Sequence, residues 1–307
     1  MTARATLTLP ADHTQPGTRI DDFTIAYLIA HGMSADVFAV WHHSLRAPLI
    51  CKRLRATDEH DTKWRRLLRD EGAALARLKH PGIVRLIHQQ QHATLPYLLL
   101  EHVGGKTLRD LLIEQQHLST DYAMRIIQHV GGALAYTHEA GFLHRDLKPS
   151  NIILRDGRPV LLDFGVVWKW KSARRPPDRS GTPQYLAPEQ IMRAPLTPAT
   201  DVYGLGLLLF ELLTGARPFL AGADRHDQQL TLAERYPQLT DEPPTLRSTG
   251  RRVSTKLEAI IARCLARNPR ERFQNVGELL TALDSFTRIK VWPRDVMQLS
   301  EDFSPFE

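Results

Sequence analysis

The chain has 307 residues, 42% of them hydrophobic and 24% charged, and its 40 Lys and Arg against 34 Asp and Glu leave a formal net charge of +6. This is the balance of a globular protein long enough for two lobes with their own cores, and no run of about 18 apolar residues marks a membrane span. Residues 1–17 are polar, carry Arg4 and lack an apolar core, so no secretory signal is expected. Cys51 and Cys264 stand at unrelated places and are expected as buried free thiols, which suits a reducing cytoplasm. His42-His43 has no partner at metal-ligand spacing, and no RNA- or DNA-binding motif accompanies the positive charge, which reads as surface character.

Residues 1–20 read as a flexible lead-in. Residues 23–30 alternate and run into His31-Gly32, a strand entering a turn; 37–41 read as the returning strand and 47–54 as a third. Residues 62–78 carry apolar side chains at Trp64, Leu67, Leu68, Leu75 and Leu78 with a charged outer face, a helical period. Residues 97–101 form a short apolar strand that gives way to His102-Val103-Gly104-Gly105, where two glycines suit a flexible connection. Thr107 caps a helix starting near Leu108, and 122–141 is a longer helical pattern ending at glycine. Residues 224–255 are less regular, two helical patterns follow at 257–266 and 276–286, and 287–307 form a tail with Trp292, Phe303 and Phe306.

The run His144-Arg145-Asp146-Leu147-Lys148-Pro149-Ser150-Asn151, followed by Asp163-Phe164-Gly165, carries the most chemistry. In-line transfer of a γ-phosphoryl group needs the nucleotide's charge neutralised by Mg²⁺ and an acceptor hydroxyl aimed at phosphorus. Asp146 can orient that hydroxyl and take its proton, Lys148 can offset charge on the moving group, and Asn151 and Asp163 supply oxygen ligands of the kind Mg²⁺ prefers.

These motifs, in this order and spacing, resemble the eukaryotic-type (Hanks-type) Ser/Thr protein kinase family, and the Gly181-Thr182-Pro183-Gln184-Tyr185-Leu186-Ala187-Pro188-Glu189-Gln190 run looks most like its bacterial branch. The resemblance spans roughly 22–286 and implies an α+β, bilobal kinase fold, with a β-rich N-lobe at about 21–101 and a mainly helical C-lobe at about 106–286. It implies that Lys52 holds the α- and β-phosphates of ATP, paired to Glu71 on the following helix, while Glu101 and Val103 offer backbone groups to the adenine and Ile153 lines its pocket. The phosphate-covering hairpin has Ala30, Gly32, Ala35 and Val37 where the family has three glycines and a valine, and Ile50 where it usually has alanine. Three extra carbons in a close-packed slot cost about 1–3 kcal/mol unless the facing side changes too.

By the same resemblance Leu75, Leu86, His144 and Phe164 stack as a spine anchored by Asp201, Thr182 bonds Asp146 and Lys148, and Glu189 pairs with Arg272. Arg145 then calls for an anion, implied to be a phosphate on Ser172, Ser180 or Thr182, with Asp178 a partial substitute. The implied activity is ATP- and Mg²⁺-dependent phosphorylation of protein Ser/Thr hydroxyls, with autophosphorylation of the segment after Asp163. The alternative is a pseudokinase that binds a partner with little turnover; a small-molecule phosphotransferase fits poorly with Glu189 and Arg272. Protein substrates are the implied partners, and the tail is a candidate dock for a regulatory one.

Overall fold

The computed structural model describes residues 15–32, 35–58, 60–171, 176, 178–219, 230–251 and 253–286. The lead-in before Gln15, the tail 287–307, and Ser172, Arg174 and Arg175 lie outside the described residues. The chain falls into two compact units, residues 1–72 with 85–102, and residues 73–84 with 103–307.

The first unit is built on one six-stranded antiparallel sheet. Its strands are β1 (Arg19–Ile20), β2 (Phe23–His31), β3 (Asp36–His42) and β4 (Ala47–Arg53), then, after helix α1 (Thr62–Arg77), β5 (Leu86–Gln90) and β6 (Tyr97–Glu101), in the order β1-β2-β3-β4-β6-β5. β1 falls within the expected lead-in; two residues are too few for an alternation to be read. Because side chains alternate along a strand, one face gathers Phe23, Ile25, Phe38, Val40, Leu49, Cys51, Tyr97 and Leu99 into a buried core. The other face follows from the register: Val37 lies opposite Lys52, Ala39 opposite Ile50, and Ile50 opposite Leu100. α1 begins where the Asp61 carboxylate accepts the N–H groups of Lys63 and Trp64. It closes onto the sheet at Gly72, where a Cβ would stand 2.9 Å from Leu98 Cδ2 and still nearer Gln89 Oε1.

The second unit is mainly helical. β7 (Lys106–Thr107) leads into α2 (Leu108–Gln115), capped by a reciprocal Thr107–Asp110 capping box, then α3 (Thr120–Glu139), β8 (Phe142–Leu143), the β9–β10 hairpin (Ile152–Arg155, Arg158–Leu161) and β11 (Trp168–Lys169). α4 (Pro188–Ile191), α5 (Pro198–Thr214), α6 (Leu232–Arg235), α7 (Thr255–Cys264) and α8 (Val276–Leu283) complete it. α5 is buried over nearly its whole length, from Pro198 to Leu213, as its almost uninterrupted apolar sequence requires. It ends at Gly215, whose left-handed φ of +77° returns an N–H to Glu211 O. Small sheets of β10-β9-β7 and β11-β8 frame the loops that leave α3 and β10. Among the described residues no helix is long and apolar enough to cross a membrane.

Candidate active site

In the first unit Lys52, one residue before the end of β4, meets Glu71 on α1 with Nζ 2.9 Å from Oε1 and 2.8 Å from Oε2. Both side chains are buried, so the pair is close to unscreened. Val37 and Ile50 share the face of the sheet that presents Lys52, and both are half-buried. Ile50 has Ala39 as its cross-strand neighbour, so its extra carbons lie beside the smallest side chain that strand could offer short of glycine. Ala30 is exposed and pairs with Val37 across the hairpin. Gly32 closes the turn with its N–H on Ala35 O at 3.0 Å, and a Cβ there would come within 2.5 Å of the same oxygen, which is why glycine persists at this one position. Asp36 ties the hairpin down, accepting from Arg55 Nε at 2.9 Å and bonded to His31 Nδ1 at 3.0 Å, while Arg55 also donates to Gly32 O. Glu101 ends β6 with its N–H on Arg85 O at 2.9 Å.

In the second unit Val103 is buried, and Gly105 adopts φ +120° where a Cβ would collide with Leu154 O, so the glycine is sterically required. Ile153 sits half-buried in β9 between Thr107 and Val160.

The loop from His144 to Asn151 is held from several sides. Asp201 on α5 accepts the backbone N–H of His144 and of Arg145, each at 2.8 Å, and bonds His138 Nε2 at 2.7 Å. Burial works to raise the Asp201 pKa, but His138 and these N–H donors outweigh it and hold the carboxyl below its ordinary value. His144 is fully buried, its ring edge-on to Phe164 at 4.8 Å, and burial keeps its pKa low against the pull of Asp201, Asp146 and Asp163. A fully buried neutral imidazole here packs the loop.

Asp146 Oδ1 accepts the Thr182 N–H at 2.8 Å; Oδ2 accepts Lys148 Nζ at 2.8 Å and Asn151 Nδ2 at 3.0 Å. Lys148 Nζ also donates to Thr182 Oγ1 at 2.5 Å. Asn151 spends its second amide hydrogen on Asp146 O at 2.8 Å, which leaves its amide oxygen as the end without a partner among the described residues. Leu162 N bonds Asn151 O at 2.9 Å, bringing Asp163 beside Asn151, and Asp163 Oδ1 accepts Gly165 N at 3.0 Å. Both residues carry side-chain oxygens of the kind a hard divalent cation takes. Arg145 takes φ +71° and is buried; one nitrogen donates to Val166 O at 3.1 Å and the guanidinium lies 5.7 Å over Trp168. Its Nε and other terminal nitrogen have no hydrogen-bond partner among the described residues. Burial depresses its pKa to about 10 despite Asp178, Asp201 and Asp146.

Glu189 and Arg272 form a bidentate buried pair at 2.7 and 2.9 Å. Gln190, which sequence reasoning passed over, donates Nε2 to Arg145 O at 3.0 Å and accepts Ala187 N at 3.0 Å. A glutamine directly after Ala187-Pro188-Glu189 was the signal available, but only the fold shows whose carbonyl it holds.

A β-rich unit carrying a buried lysine–glutamate pair, followed by a helical unit in which an aspartate, a lysine and an asparagine converge, is the arrangement of the bilobal kinase fold. The protein kinase domain family matches residues 23–282, and the chain belongs to that family. The chain is 31% identical over 274 residues to the serine/threonine-protein kinase PknB of Mycobacterium leprae, covering 87% of this chain and 43% of that protein. It is 30% identical over 275 residues to PknB of Mycobacterium tuberculosis, at the same coverage. It therefore spans less than half the length of these relatives. Among solved structures, the Mycobacterium tuberculosis PknI kinase domain superposes with a TM-score of 0.70 at 25% identity, covering 88% of this chain and 98% of that one. The family implies ATP as substrate, a divalent metal and protein acceptors.

Proposed function

We propose that residues 21–286 form a Ser/Thr protein kinase domain that moves the ATP γ-phosphoryl group to protein hydroxyls with Mg²⁺. The reading rests chiefly on Asp146, whose two oxygens are aimed by Thr182, Lys148 and Asn151 in the way a base for an acceptor hydroxyl must be aimed. Asn151 and Asp163 would hold the metal, which neutralises phosphate charge when bound. Lys52, fixed by Glu71, takes the phosphates; Ala30, Gly32, Val37, Ile50, Glu101, Val103 and Ile153 line the nucleotide side. Lys148 neutralises Asp146 in the resting state and turns to the transferring phosphoryl oxygens as the hydroxyl proton arrives. Thr182 keeps both residues in register and marks the Ser/Thr class.

Arg145 supports autophosphorylation of the segment after Asp163: a buried guanidinium with unspent donors is a receptor for phosphate. Ser180 is buried with its hydroxyl on Asp178, and the Thr182 hydroxyl is taken by Lys148, so either must leave its present bond to be modified. The tail is a candidate dock for a regulatory partner, and the setting is cytoplasmic.

The test is transfer of labelled γ-phosphate, with Mg²⁺, to the protein and to a generic basic acceptor, beside Asp146→Asn. Label that disappears in the variant supports the kinase. Label in neither, with nucleotide still bound, replaces it by the pseudokinase reading.

A further inference from the structure

The β2–β3 hairpin has Ala30 and Ala35 where glycine would leave φ free, and a polar tie takes hold of what remains. Gly32 is fixed at both of its polar groups. Its N–H goes to Ala35 O at 3.0 Å, and its carbonyl accepts a terminal nitrogen of Arg55. The same guanidinium gives Nε to Asp36 Oδ1 at 2.9 Å, and His31 Nδ1 lies 3.0 Å from that oxygen. Asp36 is buried, so these partners answer its charge inside the protein. Arg55 is itself anchored. It follows the end of β4, three residues after Lys52; the buried Leu54 donates its N–H to Pro96 O at 3.0 Å, and Arg55 O accepts Asp58 N at 3.1 Å. The tie therefore joins the hairpin to the strand that carries Lys52.

The strand register puts this tie on the reverse of the sheet. His31 stands opposite Asp36 and Asp36 opposite Arg53, whereas Val37 stands opposite Lys52. Successive side chains of a strand point to opposite faces. Asp36 therefore shares its face with Phe38 and Val40 of the buried core, and Val37 shares the other face with Lys52 and Ile50. An exposed ion pair that only joins two side chains contributes little. Here one member also holds a backbone carbonyl 23 residues away, in the turn itself.

We propose that Arg55 and Asp36 are positioning residues for the nucleotide phosphates, holding the hairpin from its reverse face in the form that receives them. Neither residue touches nucleotide in this scheme. Phosphate is bound by backbone N–H groups, whose directions are set by the turn as a whole. A hairpin ordered beforehand loses no further chain entropy when phosphate arrives, so the gain is felt as affinity for phosphate and not for the nucleoside. Arg55 serves because its planar fork reaches a carboxylate and a carbonyl at once, which a single ammonium does less well. His31 adds a weaker tie from a side chain that is 70% exposed.

This inference rests on the kinase reading above, and the experiment separates the two. Dissociation constants for Mg-ATP and for adenosine are measured by titration calorimetry on the full chain, wild type and variants. In Arg55→Met the ATP constant should rise about ten-fold, while the adenosine constant stays within about two-fold. Adding Asp36→Asn to Arg55→Met should change the ratio by less than about two-fold, because both residues act through one tie. His31→Ala, at a side chain where folding is not at stake, should move the ratio in the same direction by about two-fold. In turnover the effect should fall on KM for ATP and leave KM for the acceptor peptide unchanged. The readout is a ratio between two ligands of the same folded protein, which a loss of folded chain does not move. ATP and adenosine weakened together, or a ratio unchanged in Arg55→Met, overturns the inference and leaves the kinase standing. A wild-type chain that binds no ATP and transfers no label overturns both.

Discussion

Replacing Arg272 by Met removes a cation that is 0% exposed and keeps most of its stem volume. Every donor of its guanidinium is used. Nε bonds Ala266 O at 2.7 Å, one terminal nitrogen bonds Glu189 Oε1 and Ala199 O, and the other bonds Glu189 Oε2 and Arg267 O. Its loss leaves a 5%-exposed carboxylate without its counter-charge and three carbonyls short of a donor. Breaking a buried pair from one side costs about 3–5 kcal/mol, a large share of the roughly 5–15 kcal/mol that holds a domain together. At about 2–4 °C per kcal/mol for a domain of this size, Tm falls by about 6–20 °C.

The assay is thermal unfolding followed by circular dichroism, with the double variant Glu189→Gln, Arg272→Met alongside. Removing both charges should restore at least half of the loss, since the desolvation cost leaves with the pair. A single-variant Tm within about 2 °C of wild type would refute the reasoning, because it would mean that the buried Glu189 carboxylate needs no partner. The pair also has a functional reach. Glu189 precedes Gln190, whose amide holds the Arg145 carbonyl, so loosening it at temperatures where the fold survives should lower kcat before KM changes.

Lys52→Met removes the lysine counter-charge of the 1%-exposed Glu71 and should cost stability, together with about a hundred-fold or more in phosphoryl transfer, measured by labelled-phosphate incorporation. Asp201 has a folded pKa below its ordinary 3.8, so its stabilisation is complete above that value and is lost as pH falls through the lower folded one; in Asp201→Asn, urea midpoints should lose that acid-side dependence. Cys51 and Cys264 are both buried, with burial raising each thiol pKa to about 12, so neither should react with a thiol reagent at pH 8 until denaturant is added.

Elements with a clear period were legible before any coordinates. The β2–β4 alternation, the α1 stripe and the Thr107 cap are local patterns, and each element begins and ends within about two residues of the reading. β7, β8 and β11 have two residues each, too short for any period, and exist because neighbouring chain pairs with them. The site divides in the same way. Asp146, Lys148, Asn151 and Asp163 announced themselves by spacing within one stretch. Ala39 as the neighbour of Ile50 needs a strand register, and Arg109 meets Tyr185 and Glu211 across separations of 76 and 102 residues, with no local signal at either end. Chemistry carried by one loop can be read in sequence; a charge compensated from another element becomes visible only when the fold closes the distance.

Arg145 shows why the aspartate beside it needs so many supports. A non-glycine residue at φ +71° costs about 1–3 kcal/mol, and burying its guanidinium with donors unspent adds to that cost. The strain persists because the loop is determined from both ends of the peptide: Asp201 takes the N–H of His144 and of Arg145, and Gln190 takes the Arg145 carbonyl. Those three bonds leave the following residue little choice of direction, and Thr182 then fixes the Asp146 carboxylate itself. The supports come from α5, from α4 and from the segment before it, elements that only the folded second unit brings together. An aspartate in an unstrained turn would be easier to fold but free to rotate, and a base that rotates does not keep an acceptor hydroxyl in line. The unspent donors of Arg145 place a receptor for negative charge one residue from that carboxylate. An anion arriving there would offset the burial cost of the cation and stiffen the same peptide, and so would tie charge on the neighbouring segment to the aim of the Asp146 carboxylate.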